Sequence, residues 1–300
     1  MAALNNNNVR VAFADRPPAA IQACLHPHPR LAYLCAGETG PPVVMLHGWG
    51  AFKELWWSTL RGLGRDHRCF ALDVPGHGDS PLGGAHTIPL LADVVAQFCA
   101  DLGLTEIILM GHSMGGAIAA ELTLAHPDLV HRLVLVDAAV DAHLMPIYAR
   151  VYLLPQLGWG LLRLTQLIGR RARPLGLRIP HEHGGGWIRP WLRRSSYLAM
   201  FEPEGLHRVY RSLFATQTGD RLARIAVPTL VLSGQFDSLV PPANSHRLAD
   251  LIPGASYHQV SGALHNPMDE RPYAFEKAVR GFLLSPRSAG ESSGPRIEQR

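Results

Sequence analysis

Apolar residues in this chain fall in short unbroken blocks separated by amphipathic stretches. Val43-Val44-Met45-Leu46 and Ile107-Ile108-Leu109-Met110 have no polar position, so at a period of two neither face of such a segment is polar. A strand of that kind is buried on both sides, as in a parallel sheet covered by helices. The pattern predicts strands over 30–35, 43–46, 68–73, 106–110, 132–136, 228–233 and 256–260. Helical periodicity intervenes at 89–102, 115–125, 243–251 and 272–284, and Pro127 and Pro253 stand where two of those helices should stop. Alternation of this type predicts an α/β fold with a doubly wound, mostly parallel sheet.

The rhythm breaks between 138 and 211. Leu154, Leu157, Leu161, Leu164 and Ile168 keep helical spacing there, Gly184-Gly185-Gly186 forms a hinge-like run, and no strand pattern stands out. The stretch carries 11 arginines, no lysine and four acids, a formal +7 that leaves the rest of the chain at −3. It reads as a helical cap inserted into a core formed by 26–137 and 212–285. Residues 1–25 and 286–300 read as a flexible leading segment and a disordered tail, because polar and breaker residues dominate them without a periodic apolar face.

A 300-residue chain with 47% apolar and 17% charged residues is long enough and apolar enough for one large core. The net charge of +4 is too small to imply nucleic acid. Cys24, Cys35, Cys69 and Cys99 have neither CxxC spacing nor the density of a disulfide scaffold, so no metal site and no cofactor are expected and the thiols read as free. No secretory leader and no run of 18 apolar residues appear in the sequence, so the expected location is cytoplasmic.

Chemistry concentrates where the strand 106–110 ends. Gly111-His112-Ser113-Met114-Gly115 follows it and a small-residue helix comes next. A serine on so tight a strand-to-helix turn is pushed outward over the positive end of the helix, and Gly111 and Gly115 supply the room. A serine hydroxyl needs a base, and the base an orienting acid. Reactive groups collect past the carboxyl ends of parallel strands. There His265 stands in the loop after 256–260, and Asp237 follows 228–233. Asp137, just past 132–136, competes as the acid. Among the 16 histidines, His258 lies within a strand, His246 on a helix, and His126 and His131 at the opposite end of the sheet. His112 reads as a packing residue turned away from the serine hydroxyl. For the oxyanion, the expected donors are the backbone N–H groups of Met114 and of Trp49, in the tight loop His47-Gly48-Trp49-Gly50. His47 and Gly48 shape that loop, and His47 is assigned no proton transfer.

Together these segments resemble the α/β-hydrolase family, over roughly residues 26 to 285. The resemblance rests on Leu46–Gly50, Asp73-Val74-Pro75-Gly76-His77-Gly78-Asp79-Ser80, Gly111–Gly115, Asp237 with Val240-Pro241, and His265 with Pro267, Glu270 and Pro272, in that order. It implies the order Ser113, Asp237, His265 for the triad and a bracing role for Asp73. The chain departs from the family pattern at Leu264, where glycine often precedes the base.

A serine nucleophile rather than an aspartate argues against haloalkane dehalogenase or epoxide hydrolase chemistry. The expected function is hydrolysis of carboxylic esters through an acyl-enzyme, on small-molecule substrates, with Trp159, Leu161, Leu164, Leu167, Trp187, Trp191, Tyr197 and Phe201 of the cap available to line an acyl pocket. Alternatives remain: carbon–carbon hydrolysis of meta-cleavage products, cofactor-free perhydrolysis, a methyl-ester esterase acting on a carrier protein, a peripheral lipase touching membrane through 153–169, or a binding member without catalysis. Arg170, Arg171, Arg173, Arg193 and Arg194 are the residues that would meet an acidic carrier.

Overall fold

The computed structural model describes residues 21–27, 30–84, 86–176 and 203–285. Eight strands form one sheet: β1 (Ile21–His26), β2 (Leu31–Ala36), β3 (Pro42–Leu46), β4 (Arg68–Leu72), β5 (Ile107–His112), β6 (Val130–Val136), β7 (Thr229–Gly234) and β8 (Ser256–Val260). Their order is β1-β2-β4-β3-β5-β6-β7-β8, antiparallel from β1 to β4 and parallel from there onward. The two-faced apolar strands occupy the parallel centre, as expected.

The described α-helices are α1 (Trp57–Leu63), α2 (Ile88–Asp101), α3 (Met114–Ala125), α4 (Pro155–Gly176), α5 (Pro203–Ala215), α6 (Pro242–Leu251), α7 (Pro267–Glu270) and α8 (Pro272–Leu284), with 3-10 turns at Lys53–Trp56, Ala142–Leu144, Ile147–Leu153 and Gly219–Arg224. Side chains of the central strands divide by parity. Val44, Leu46, Ile107, Leu109, Leu133 and Leu135 pack with residues of α2 and α3. Val43, Met45, Ile108, Met110, Val134 and Val136 pack with Leu60 and Leu63 of α1 and Phe275 and Val279 of α8. Each such side chain contributes about 1.5–3 kcal/mol of burial before entropy is charged against it, so the two layers fix the strand register.

Two segments differ from expectation. Residues 21–25, read as part of a flexible leader, belong to β1, which pairs with β2 from Ile21↔Ala36 to His26↔Leu31. The edge strand has polar positions and one paired side, so its pattern is weaker than that of a central strand. Helix α1 and the 3-10 turn before it (Lys53–Trp56) carry no predicted element. Seven residues are too few to display helical periodicity, and tertiary burial of Trp57, Leu60 and Leu63 holds them. The described residues of 138–211 hold no strand: they carry 3-10 turns at Ala142–Leu144 and Ile147–Leu153, all of α4 and the first part of α5. The glycine run 184–186 and Trp187, Trp191, Arg193, Arg194, Tyr197 and Phe201 lie outside the described residues, as do 1–20 and 286–300.

Register sets the site. Leu46 pairs with Gly111, His112 with Val136, Val136 with Leu232, and Gly234 with Val260. The carboxyl ends of β3, β5, β6, β7 and β8 therefore share one sheet edge, and the next residues of each strand emerge there.

Candidate active site

Ser113 joins β5 to α3 with φ 52° and ψ −116°. A non-glycine residue in that region costs on the order of 1–3 kcal/mol and persists only when its surroundings over-determine it. They do here. A Cβ on Gly115 would stand 2.4 Å from the carbonyl oxygen of Leu46 and 2.6 Å from that of His47, and one on Gly111 would meet the Gly115 carbonyl at 2.3 Å. Both neighbours of the turn must therefore be glycine, as the pentapeptide requires. Ser113 N–H donates to the Val136 carbonyl at 2.9 Å, and the Ser113 carbonyl accepts from Gly116 at 2.9 Å and Ala139 at 3.0 Å. Met114 opens α3, so its N–H is one of the four that a helix start leaves without an intrahelical acceptor.

His265 and Asp237 meet as the sequence order implies. His265 Nδ1 lies 2.7 Å from Asp237 Oδ2. The other oxygen, Oδ1, accepts from the N–H groups of Leu239 at 2.8 Å and Val240 at 3.0 Å. Burial alone would raise the Asp237 pKa, but His265, the Val240 N–H and the adjacent Asp137 outweigh it and hold the carboxyl below its usual range. A carboxylate oxygen can only accept, so Nδ1 carries the imidazole proton and leaves Nε2 free to take one. His112 does more than pack. Its Nε2–H donates to the His265 carbonyl at 2.7 Å and its ring lies 4.8 Å from the His265 ring. Nothing in the local sequence distinguishes this bond, which spans 153 positions.

Asp137 also sits at this edge, with its Oδ1 accepting from Gly234 N–H at 2.9 Å. His246 is elsewhere, on α6 and paired with Asp250. His126 and His131 pair with Asp93 and Glu106, away from the site.

The loop after β3 lies against the serine: a Cβ on Gly48 would stand 3.0 Å from Ser113 Cβ. His47 straps that loop to the next one. Its Nε2 accepts from Val74 N–H at 3.0 Å, so Nδ1 holds the proton and donates to the Gly48 carbonyl at 2.8 Å. Burial, with His77 beside it, keeps His47 neutral by lowering its pKa well below the usual imidazole value. The bracing aspartate has a partner the sequence does not announce. Asp73 accepts from the backbone N–H of Lys53 at 2.7 Å, from its ammonium at 2.7 Å, and from Asp79 N–H at 2.9 Å. Lys53 Nζ also reaches Asp79 at 2.9 Å and Glu54 at 3.3 Å. Burial opposes the lysine charge, but Asp73, Glu54 and Asp79 override it and raise its pKa. Burial lifts Glu54 to about 7 against the pull of Lys53.

Ser113, His265 and Trp49 line one cavity of about 450 Å³ with Phe52, Met145, Tyr148, Ala149, Tyr152, Tyr210, Leu213 and Leu239. Among its described lining residues none is Asp, Glu, Lys or Arg. Trp49 is clamped by the cap: its Nε1–H donates to the Leu206 carbonyl at 2.8 Å, and its ring lies 4.5 Å from Tyr210 and 5.1 Å from Tyr152. Tyr148 O–H donates to the Ser238 carbonyl, next to Asp237. The four expected pocket residues that are described, Trp159, Leu161, Leu164 and Leu167, are absent from that lining. Leu164 and Leu167 of α4 are 52% and 48% exposed, and the apolar spacing that predicted a helix runs partly along its outer side. Leu161 is half-buried but not in the lining, and the buried leucine of that turn is Leu162, packed with Leu206, Trp49 and Tyr152. Trp159 stacks under Arg163, 3.9 Å from the ring centre. No helix among the described residues is long and apolar enough to cross a membrane.

A family model described as alpha/beta hydrolase fold matches residues 41–272. A pimeloyl-[acyl-carrier protein] methyl ester esterase of Aeromonas hydrophila is 29% identical over 252 residues, covering 81% of this chain and 96% of the relative. An sn-1-specific diacylglycerol lipase of Xenopus tropicalis is 27% identical over 261 residues, 82% of this chain and 79% of the relative. Among solved structures, a malate-bound thermophilic esterase from Thermogutta terrifontis superposes with a TM-score of 0.68 at 26% identity, covering 85% of this chain and 93% of that one.

Proposed function

Because the chain belongs to the alpha/beta hydrolase fold family, we propose that it cleaves carboxylic esters of small molecules through an acyl-enzyme on Ser113. The observation that carries this reading is the ordered pair His265–Asp237 in the same cavity as a serine held in a strained strand-to-helix turn. His265 Nε2 takes the Ser113 proton as Oγ bonds to the ester carbonyl carbon. The carbonyl π electrons move to oxygen, and the oxyanion is met by the N–H groups of Trp49 and Met114. Collapse of that intermediate breaks the bond to the alcohol oxygen, which leaves with the proton held by His265. Water then repeats the cycle on the acyl-enzyme and releases the acid. Asp237 stays ionised throughout and stabilises the imidazolium. The uncharged lining of the described cavity fits a neutral acyl group.

The deciding experiment is fluorophosphonate labelling. The wild type should take one covalent label and Ser113→Ala none, and labelling that persists in the variant would end the serine-hydrolase reading. A panel of p-nitrophenyl esters, run beside a meta-cleavage product, separates ester from carbon–carbon hydrolysis. A carrier-protein methyl ester is the second reading, favoured by exposed Arg170 and Arg171 on α4 and by the name of the Aeromonas relative. Charge reversal at both arginines should then weaken turnover of the carrier-bound ester at low salt and spare free esters.

A further inference from the structure

Asp137 has no part in the cycle above, yet it is built into the same edge. It leaves β6 as Asp237 follows β7, and those strands are neighbours with Val136 opposite Leu232. The residue is fully buried and holds a φ of 43°, a left-handed backbone that persists only where the surroundings impose it. Its own N–H donates to the Leu232 carbonyl at 2.8 Å. Oδ1 accepts from Gly234, but Oδ2 is buried and receives no N–H or hydroxyl among the described residues. An ionised oxygen left in that state is costly, whereas a carboxylic O–H that donates to a neighbouring carboxylate is not. The neighbouring carboxylate is Asp237: its Oδ2 lies 2.7 Å from His265 Nδ1, and a ring nitrogen of the same imidazole lies within 4.8 Å of an Asp137 oxygen.

Four further groups face this pair. An oxygen of Asp137 lies within 4.8 Å of a ring nitrogen of His265 from the loop after β8 and of His112 from β5. Glu270 of α7 is buried nearby with one oxygen accepting from Leu264 N–H at 2.6 Å, and Ser113 lies beside His112. Two carboxyl groups in one dry site do not both ionise. The donors decide which one keeps the proton. Asp237 receives Leu239, Val240 and the His265 Nδ1–H, while among the described residues Asp137 receives Gly234 alone.

We propose that Asp137 is a neutral carboxylic acid whose hydroxyl hydrogen-bonds to Asp237, a positioning residue that confines the negative charge of the edge to the carboxylate touching His265. The assignment rests on the triad reading. Burial and the adjacent Asp237 push the Asp137 carboxyl well above the usual range, in the direction the donors require. Its consequence for the cycle is twofold. One negative charge rather than two faces the imidazole, and it sits on the carboxylate that accepts the Nδ1–H. The donated bond also makes Asp237 less basic, so the imidazolium proton remains on nitrogen.

The test is the pH profile of kcat/KM on p-nitrophenyl butyrate for wild type, Asp137→Asn and Asp137→Leu. Asparagine reproduces both bonds, its oxygen accepting from Gly234 and its NH₂ donating to Asp237, so the acid limb should keep its wild-type position. Leucine removes the donor, makes Asp237 more basic, and should move the acid limb to higher pH with kcat reduced more than KM is changed. An ionised Asp137 predicts the opposite: Asp137→Asn would delete a negative charge beside His265 and lower the limb by about one pH unit or more. That downward shift overturns the proposal. Isotope-edited infrared spectroscopy keeps the test decisive where Asp137→Leu does not fold. The wild type should show a protonated-carboxyl carbonyl band at pH 8 that Asp137→Asn lacks, and absence of the band in the wild type also overturns it. Fluorophosphonate labelling of Ser113 judges the triad independently, so failure of one reading is distinguishable from failure of the other.

Discussion

Replacing Asp237 by asparagine should be far more damaging than its size suggests, and the geometry says why. Oδ1 of Asp237 accepts two backbone N–H groups, from Leu239 at 2.8 Å and Val240 at 3.0 Å. Only the amide oxygen of an asparagine can occupy that position, so its NH₂ must take the place of Oδ2, 2.7 Å from His265 Nδ1. An NH₂ donates, so Nδ1 must accept and the ring proton moves to Nε2. The nitrogen that should receive the serine proton is then already protonated, and the charge that stabilises the imidazolium is gone. The expected loss in kcat is about 10⁴-fold, equivalent to about 5.4 kcal/mol of transition-state stabilisation. The assay is kcat and KM for p-nitrophenyl butyrate at pH 8, with urea unfolding as the control for fold. Asp137→Asn in the same assay should lose no more than about tenfold, or roughly 1.4 kcal/mol, because no ring tautomer depends on it. A loss below tenfold for Asp237→Asn in a folded protein, or the reverse ranking of the two aspartates, would refute the reasoning.

Three other outcomes follow from the same coordinates. Burial lowers the His77 pKa from 6.5 to about 4, so between those values the unfolded chain binds more protons. His77 therefore contributes full stability above pH 6.5, and about 2 kcal/mol of it drains away by pH 5. Urea curves of His77→Gln should lack that part of the acid slope, and parallel pH dependences for variant and wild type would contradict it. Lys53→Met leaves Asp73 without its cation and should cost about 3–5 kcal/mol in unfolding free energy, whereas a change under 1 kcal/mol would show that the buried cluster does not depend on its lysine. In the cavity, Tyr152→Ala should shift the preference among acetate, butyrate and octanoate esters, with a ceiling of about 0.8 kcal/mol per methylene, while exposed Leu164→Asn should leave the ranking unchanged; equal effects from the two would move the acyl pocket outward.

Much of this arrangement was legible before any coordinates. Strands apolar on both faces required a helix-covered parallel sheet, and a parallel sheet gathers the residues that follow its strands at one edge. Ser113, Asp237 and His265 each follow such a strand, so local pattern plus one topological rule was enough to bring the three to the same edge. Gly111 and Gly115 were legible for a related reason: the turn leaves no volume for a Cβ, and a steric exclusion within five residues is written into the sequence itself. The cap was visible as a break in rhythm, but its inner and outer faces were not. Periodicity reports that a helix has an apolar stripe; which neighbour covers the stripe is a packing outcome, and Leu162 rather than Leu164 turned inward.

What only the tertiary structure decided are the pairings between distant charges and donors. The sequence marks Lys53 only as one of two lysines, yet its backbone and ammonium both hold Asp73, just past β4. His112 supports the backbone of His265 across 153 positions, and Asp137 reaches the Gly234 N–H at the end of β7 because β6 and β7 are neighbours. A hydrogen bond depends on distances of tenths of an ångström and on burial, and neither is a property of spacing along a chain. Hydrophobic pattern determined the sheet and its reactive edge. Packing determined which of the polar groups gathered there carries the charge.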